Sequence, residues 1–110
     1  MAADPATVER LREWFAERGV TDERRMFGGV AFLDAGRMVA CGNSHGELMV
    51  RCDPALTAEL AEADGVAPME MKGRPVKGWL EVERAVVADD ADLDVWLSRA
   101  LEYARTLPVT

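Results

Sequence analysis

Two adjacent glycines, Gly28 and Gly29, stand between Arg24-Arg25-Met26-Phe27 and the apolar run Val30-Ala31-Phe32-Leu33. A glycine loses more freedom on folding than any other residue and brings no side chain to pack. A pair of them at the mouth of an apolar run therefore marks backbone that bends sharply, bulges, or is approached closely. The segment before them reads as one helix. The segment after them reads as a small sheet closed by further helix, so the expected class is α+β.

At 110 residues the chain is expected to be one domain, residues 1–110. A chain of this size buries about 65% of its unfolded surface, enough for a core without staples. The net charge of −7 argues against direct nucleic-acid binding, because neutralising phosphates takes a basic face. No apolar run approaches the ~20 residues of a membrane span, and Met1-Ala2-Ala3-Asp4-Pro5 lacks the features of a signal peptide. Cys41 and Cys52 are too few for a disulfide scaffold. A cytoplasmic protein with reduced, unpaired thiols is expected.

Asp4-Pro5 is a helix start, and Val8, Leu11, Trp14 and Phe15 recur at helical spacing until Gly19. Thr21-Asp22-Glu23 reads as a turn. Val30–Leu33 and Arg37–Gly42 form a hairpin about Asp34-Ala35-Gly36, and Glu47–Cys52 follows the turn Asn43-Ser44-His45-Gly46. With a two-residue and then a four-residue turn, one face would hold Val30, Phe32, Val39, Cys41, Leu48, Val50 and Cys52 as core. The other would hold Ala31, Leu33, Met38, Ala40, Met49 and Arg51. That second face is too apolar for a free sheet face, so Leu33, Met38 and Met49 are candidates for an interface, most simply of a homodimer.

Asp53-Pro54 opens a short helix with Leu56 and Leu60 inward, ending near Gly65. Lys72-Gly73-Arg74-Pro75-Val76-Lys77-Gly78 reads as a basic loop before a strand at Trp79–Val82. Asp89, Asp90, Asp92 and Asp94 crowd the start of a last helix whose stripe is Leu93, Trp96, Leu97, Ala100, Leu101 and Ala104.

No catalytic residue is assigned. The single histidine, His45, sits in a turn, where an exposed side chain is a simpler reading than a base for a nucleophile. No metal or cofactor is expected either: two cysteines and one histidine do not match a closed zinc site, and the acidic cluster reads as helix capping. Arg24 and Arg25 beside Gly28 and Gly29 could cradle an anion, with Lys72, Arg74 and Lys77 as a second basic segment. Neither segment matches a nucleotide-binding fingerprint, since the glycines enter a strand rather than a helix. A structural bulge at the glycines stands beside that ligand reading.

Arg25-Met26-Phe27-Gly28-Gly29, followed by an apolar strand, Gly36 and a second strand, resembles the amino-terminal domain of the TfoX/Sxy family. Leu48-Met49-Val50-Arg51, and Met71-Lys72 through Lys77-Gly78-Trp79, stand at further blocks of that pattern. The resemblance implies an α-β(3)-α-β(2)-α domain with one mostly antiparallel sheet, here standing alone. It also implies a non-enzymatic regulator of competence or transcription acting through a protein partner. A small-ligand or nucleotide-binding module using the two basic segments is the alternative.

Overall fold

The computed structural model describes residues 5–26, 28–43 and 47–108. Phe27, the turn residues Ser44, His45 and Gly46, the side chain of Met26 and the Asp4 cap lie outside the described residues and side chains. The elements are α1 (Pro5–Ala16), β1 (Asp22–Met26), β2 (Gly29–Asp34), β3 (Arg37–Gly42), β4 (Leu48–Arg51), a 3-10 turn (Pro54–Leu56), α2 (Thr57–Leu60), β5 (Val66–Met71), β6 (Arg74–Val82), a second 3-10 turn (Arg84–Val87) and α3 (Asp90–Ala104). The fold is α+β. All strand pairings are antiparallel, in the order β1-β2-β3-β4-β6-β5.

Four strands rather than three follow α1. The added one is β1, where a turn was expected at Thr21-Asp22-Glu23. Its sequence Asp-Glu-Arg-Arg-Met has no apolar alternation because it is an edge strand, and charged edges resist pairing with other chains. Lys72–Gly78 is likewise no loop. Lys72 and Gly73 alone make the turn, at φ of +53° and +78°, and β6 begins at Arg74. Two positive φ values suit the right-handed twist of a two-residue hairpin. Ala35 and Gly36 repeat that geometry between β2 and β3 at +52° and +84°.

A bulge at Val39 resets which residues face the core. Leu33 pairs with Met38 but Phe32 pairs with Ala40, leaving Val39 as the extra residue. Cys41, expected on the core face, therefore turns to the other side, and Ala40 moves inward. The following loop spans five residues rather than four, since Gly42 pairs with Leu48. Two slips of one residue compensate, so Leu48 and Val50 keep the face expected of them.

The helices pack on one face of the sheet. Phe15 of α1 stacks on Phe32 with ring centroids 4.9 Å apart and an interplanar angle of 14°. Leu11, Leu48, Leu80, Leu97 and Val82 surround that pair at 0–1% exposure. α1 closes on Gly19, whose N–H bonds the Ala16 carbonyl while the Val20 N–H reaches the Phe15 carbonyl; Gly19 takes φ +77°. Asp89 caps α3 by accepting from the Ala91 N–H at 2.8 Å. The helix expected after Asp53-Pro54 is shorter than the sequence suggests and sits differently: Leu56 is exposed, and Thr57 is the residue that turns inward. Its hydroxyl accepts from the Gly78 N–H at 2.8 Å. Cys41 and Cys52 are both free thiols, on opposite faces of the sheet.

Candidate functional site

The helix-free face of the sheet carries its own apolar cluster. Ala31, Leu33, Cys41 and Met49 are buried there, with Met38 and Met69 half-buried against them, and all six come from strands. Strand pairing lays two rows across this face. One runs Arg24, Ala31, Cys41, Met49, Glu81. The other begins Asp22, Leu33, Met38 and resumes at Arg51, Trp79, with the bulge between.

Beside the second row the residues after α3 fold back. Arg37 donates from Nη1 to the carbonyls of Leu107 at 2.9 Å and Arg105 at 3.3 Å. Its Nε and Nη2 bond the Asp34 carbonyl and Oδ2 at 3.1 and 3.0 Å, and Arg105 Nε reaches the same Oδ2 at 3.2 Å. This clamp sets Leu107 and Pro108 as one wall of an open cleft of about 450 Å³. Leu33 and Met38 form its floor, and Arg24, Arg37 and Arg51 line it.

The three guanidinium groups differ in what they have left to offer. Arg37 is spent on the clamp. Arg51 donates from Nη1 to the Met38 carbonyl at 3.1 Å and lies 5.5 Å from the centre of the Trp79 ring. Arg24 is exposed and has no hydrogen-bond or ion-pair partner among the described residues. Among the described residues no carboxylate lines the cleft. A concentration of positive charge thus stands on a molecule of net charge −7.

The basic residues singled out in the sequence do not gather at one place. Arg25 is exposed on the helix side of β1, opposite in face to Arg24. Lys72, Arg74 and Lys77 are exposed on the β5–β6 hairpin, whose β5 is the far edge of the sheet from β1. Gly28 takes φ +73° in the β1–β2 turn, and Gly29 lies against β3. Of the proposed interface trio, Leu33 and Met49 are already buried by their own chain, and Met38 is the one with surface to spare. Arg37 and Arg51 are lining residues that the sequence pattern does not single out. Alternation put Arg51 beside Met49, but joining it to Arg24 requires β1, which has no apolar pattern to announce it.

Elsewhere, the groups whose titration is shifted hold the fold together or lie inside it. Hydrogen bonds from Arg12, with its charge, hold the Glu23 carboxyl below its usual range, fastening β1 to α1 at 2.7 Å. Burial pushes the Cys41 thiol up to about 11 and raises Cys52 as well, the latter opposed by its hydrogen bond with Thr57. A second cleft, of about 380 Å³ along β5, is lined by Glu47, Glu70, Glu81 and Glu83. Among the described residues no group of three or more His, Cys, Asp or Glu is placed to hold a metal ion, and no helix is long and apolar enough to cross a membrane.

Helices on one side of an antiparallel sheet, and an arginine-lined cleft on the other, define a small α+β domain with one open face. The family model for the TfoX N-terminal domain matches residues 13–104, and the chain belongs to that family. Comparison with curated proteins and with solved structures gave no match.

Proposed function

We propose that this chain is a non-enzymatic regulatory domain that works in the cytoplasm by binding a protein partner across the helix-free face of its sheet. The kinship with competence and transcription regulators supports a regulatory role. The observation that carries the reading is the cleft: the free guanidinium of Arg24, with Arg51 beyond it, over an apolar floor, open to solvent and opposite in charge to the whole molecule. Apolar surface supplies the driving force for association, and charge selects the partner and speeds encounter.

A symmetric homodimer centred on this cleft is the weaker form of the idea. It would set Arg24 and Arg51 against their own copies, and like charges across an interface oppose association. Leu33 and Met49 have little surface left to contribute. The nucleotide-binding alternative has less to support it, because Arg24 and Arg25 lie on β1 while Lys72, Arg74 and Lys77 lie on the β5–β6 hairpin at the other end of the sheet.

Affinity capture from native cytosol, compared between variants, tests the proposal. Wild-type protein and Arg74→Glu are expected to retain the same protein, and Arg24→Glu to lose it. Identical captures by all three, or retention of a metabolite instead of a protein, would refute the reading.

A further inference from the structure

We infer that the cleft receives an extended peptide segment in which acidic residues flank an apolar one. The inference rests on the protein-partner reading and names the chemistry of the partner. Arg24 sits on β1 and Arg51 on β4, three strand steps apart and offset by two residues along the strands, or roughly 16 Å at the usual spacings. Between them the floor is Leu33 and Met38, and the remaining charged group of the lining, Arg37, is tied to Asp34 and to the residues after α3. A lone phosphate could satisfy one guanidinium and would leave the apolar floor unused. An extended chain advances ~3.3 Å per residue, so carboxylates four residues apart lie about 13 Å apart on one face, and the length of the arginine side chains covers the remainder. The side chain between them would then lie on Met38.

The charge pattern supports the acidic part. Arg24 is unpaired among the described residues, and Arg51 keeps Nε and Nη2 available after its bond to the Met38 carbonyl. Guanidinium groups bind carboxylates through paired, charge-assisted hydrogen bonds. Asp22, at the outer end of the Leu33–Met38 row, is exposed and stands outside the lining. Leu107 and Pro108 give the apolar residue a side wall as well as a floor.

The test is fluorescence anisotropy with a labelled, acetylated Glu-Glu-Leu-Glu-Glu peptide at 50 mM salt, on full-length protein confirmed folded by thermal melting. Saturable binding is expected, weakened about tenfold by Arg24→Gln, which is ~1.4 kcal/mol. Replacing the peptide's leucine with serine should weaken it comparably, and Arg74→Gln should leave it unchanged. Equal binding of leucine and serine peptides, no effect of Arg24→Gln, or displacement by inorganic phosphate at matched ionic strength would overturn the inference. The two proposals fail separately. A partner captured through Arg24 with no preference among peptides sinks the peptide chemistry alone, whereas peptide binding with no captured partner sinks the partner reading.

Discussion

At Gly29 there is no room for a methyl group. A Cβ built there would sit 2.3 Å from the Gly42 carbonyl oxygen and 3.1 Å from Cys41 Sγ, so the β2–β3 backbone would have to move. Gly28 is a glycine for a different reason: its φ of +73° is one that other residues adopt only under strain. Gly28→Ala is expected to cost about 1–2 kcal/mol and Gly29→Ala about 2–4, measured by thermal melts. Equal melting of the two variants would show that the close approach to β3 is not the larger constraint. Cys41 gives a second prediction at this scale. Burial pushes its thiol up from the usual 9.0 to about 11, so the folded state binds its proton more tightly than the unfolded chain. The contribution is fully present below about pH 9 and is lost as the pH rises toward 11, amounting to roughly 2–3 kcal/mol. Denaturant midpoints at pH 8 and pH 10.5 should fall less for Cys41→Ala than for wild type. Parallel falls would mean the thiolate is accommodated inside.

α2 is a single turn of helix, too short to hold itself, and it is fixed by the hydroxyl of Thr57. Thr57→Val keeps the shape but leaves the buried Gly78 N–H without an acceptor, which should cost about 1–3 kcal/mol, while Thr57→Ser should cost less. A neutral Thr57→Val in urea titrations would mean that water replaces the hydroxyl. Elements of this kind mark where sequence reading stops. The long amphipathic helices, the Ala35-Gly36 turn and the capping by Asp89 were legible because each is decided by neighbours in the chain. The bulge at Val39 was not, since it depends on what β2 presents across the ladder, and it alone reverses Ala40 and Cys41. β1 was missed because an edge strand buries too little to need alternation. The candidate cleft was half legible: Arg24 and Met38 stood out, but the clamp that completes it joins Asp34 and Arg37 to residues after α3, a contact no local pattern encodes.

The charge of the whole molecule shapes what it can meet. With net charge −7 and its free arginines confined to separate patches, the domain is expected to give no saturable DNA binding below about 1 µM at 150 mM salt in a mobility-shift titration. Tight, saturable binding would revive direct contact with DNA. The sheet also has a history written into its order. β1, β2 and β3 are each paired with the next strand in sequence, and β5 with β6, so both pieces can zip up from their own turns. Among the described strand pairings only β4–β6, where Leu48 meets Val82 and Arg51 meets Trp79, joins distant parts of the chain. Loop closure must be met before that pairing returns anything, so docking of the β5–β6 hairpin onto β4 is the expected kinetic bottleneck. In stopped-flow refolding, Val50→Ala and Leu80→Ala should therefore slow folding, whereas Gly73→Ala, at the tip of the hairpin, should chiefly hasten unfolding.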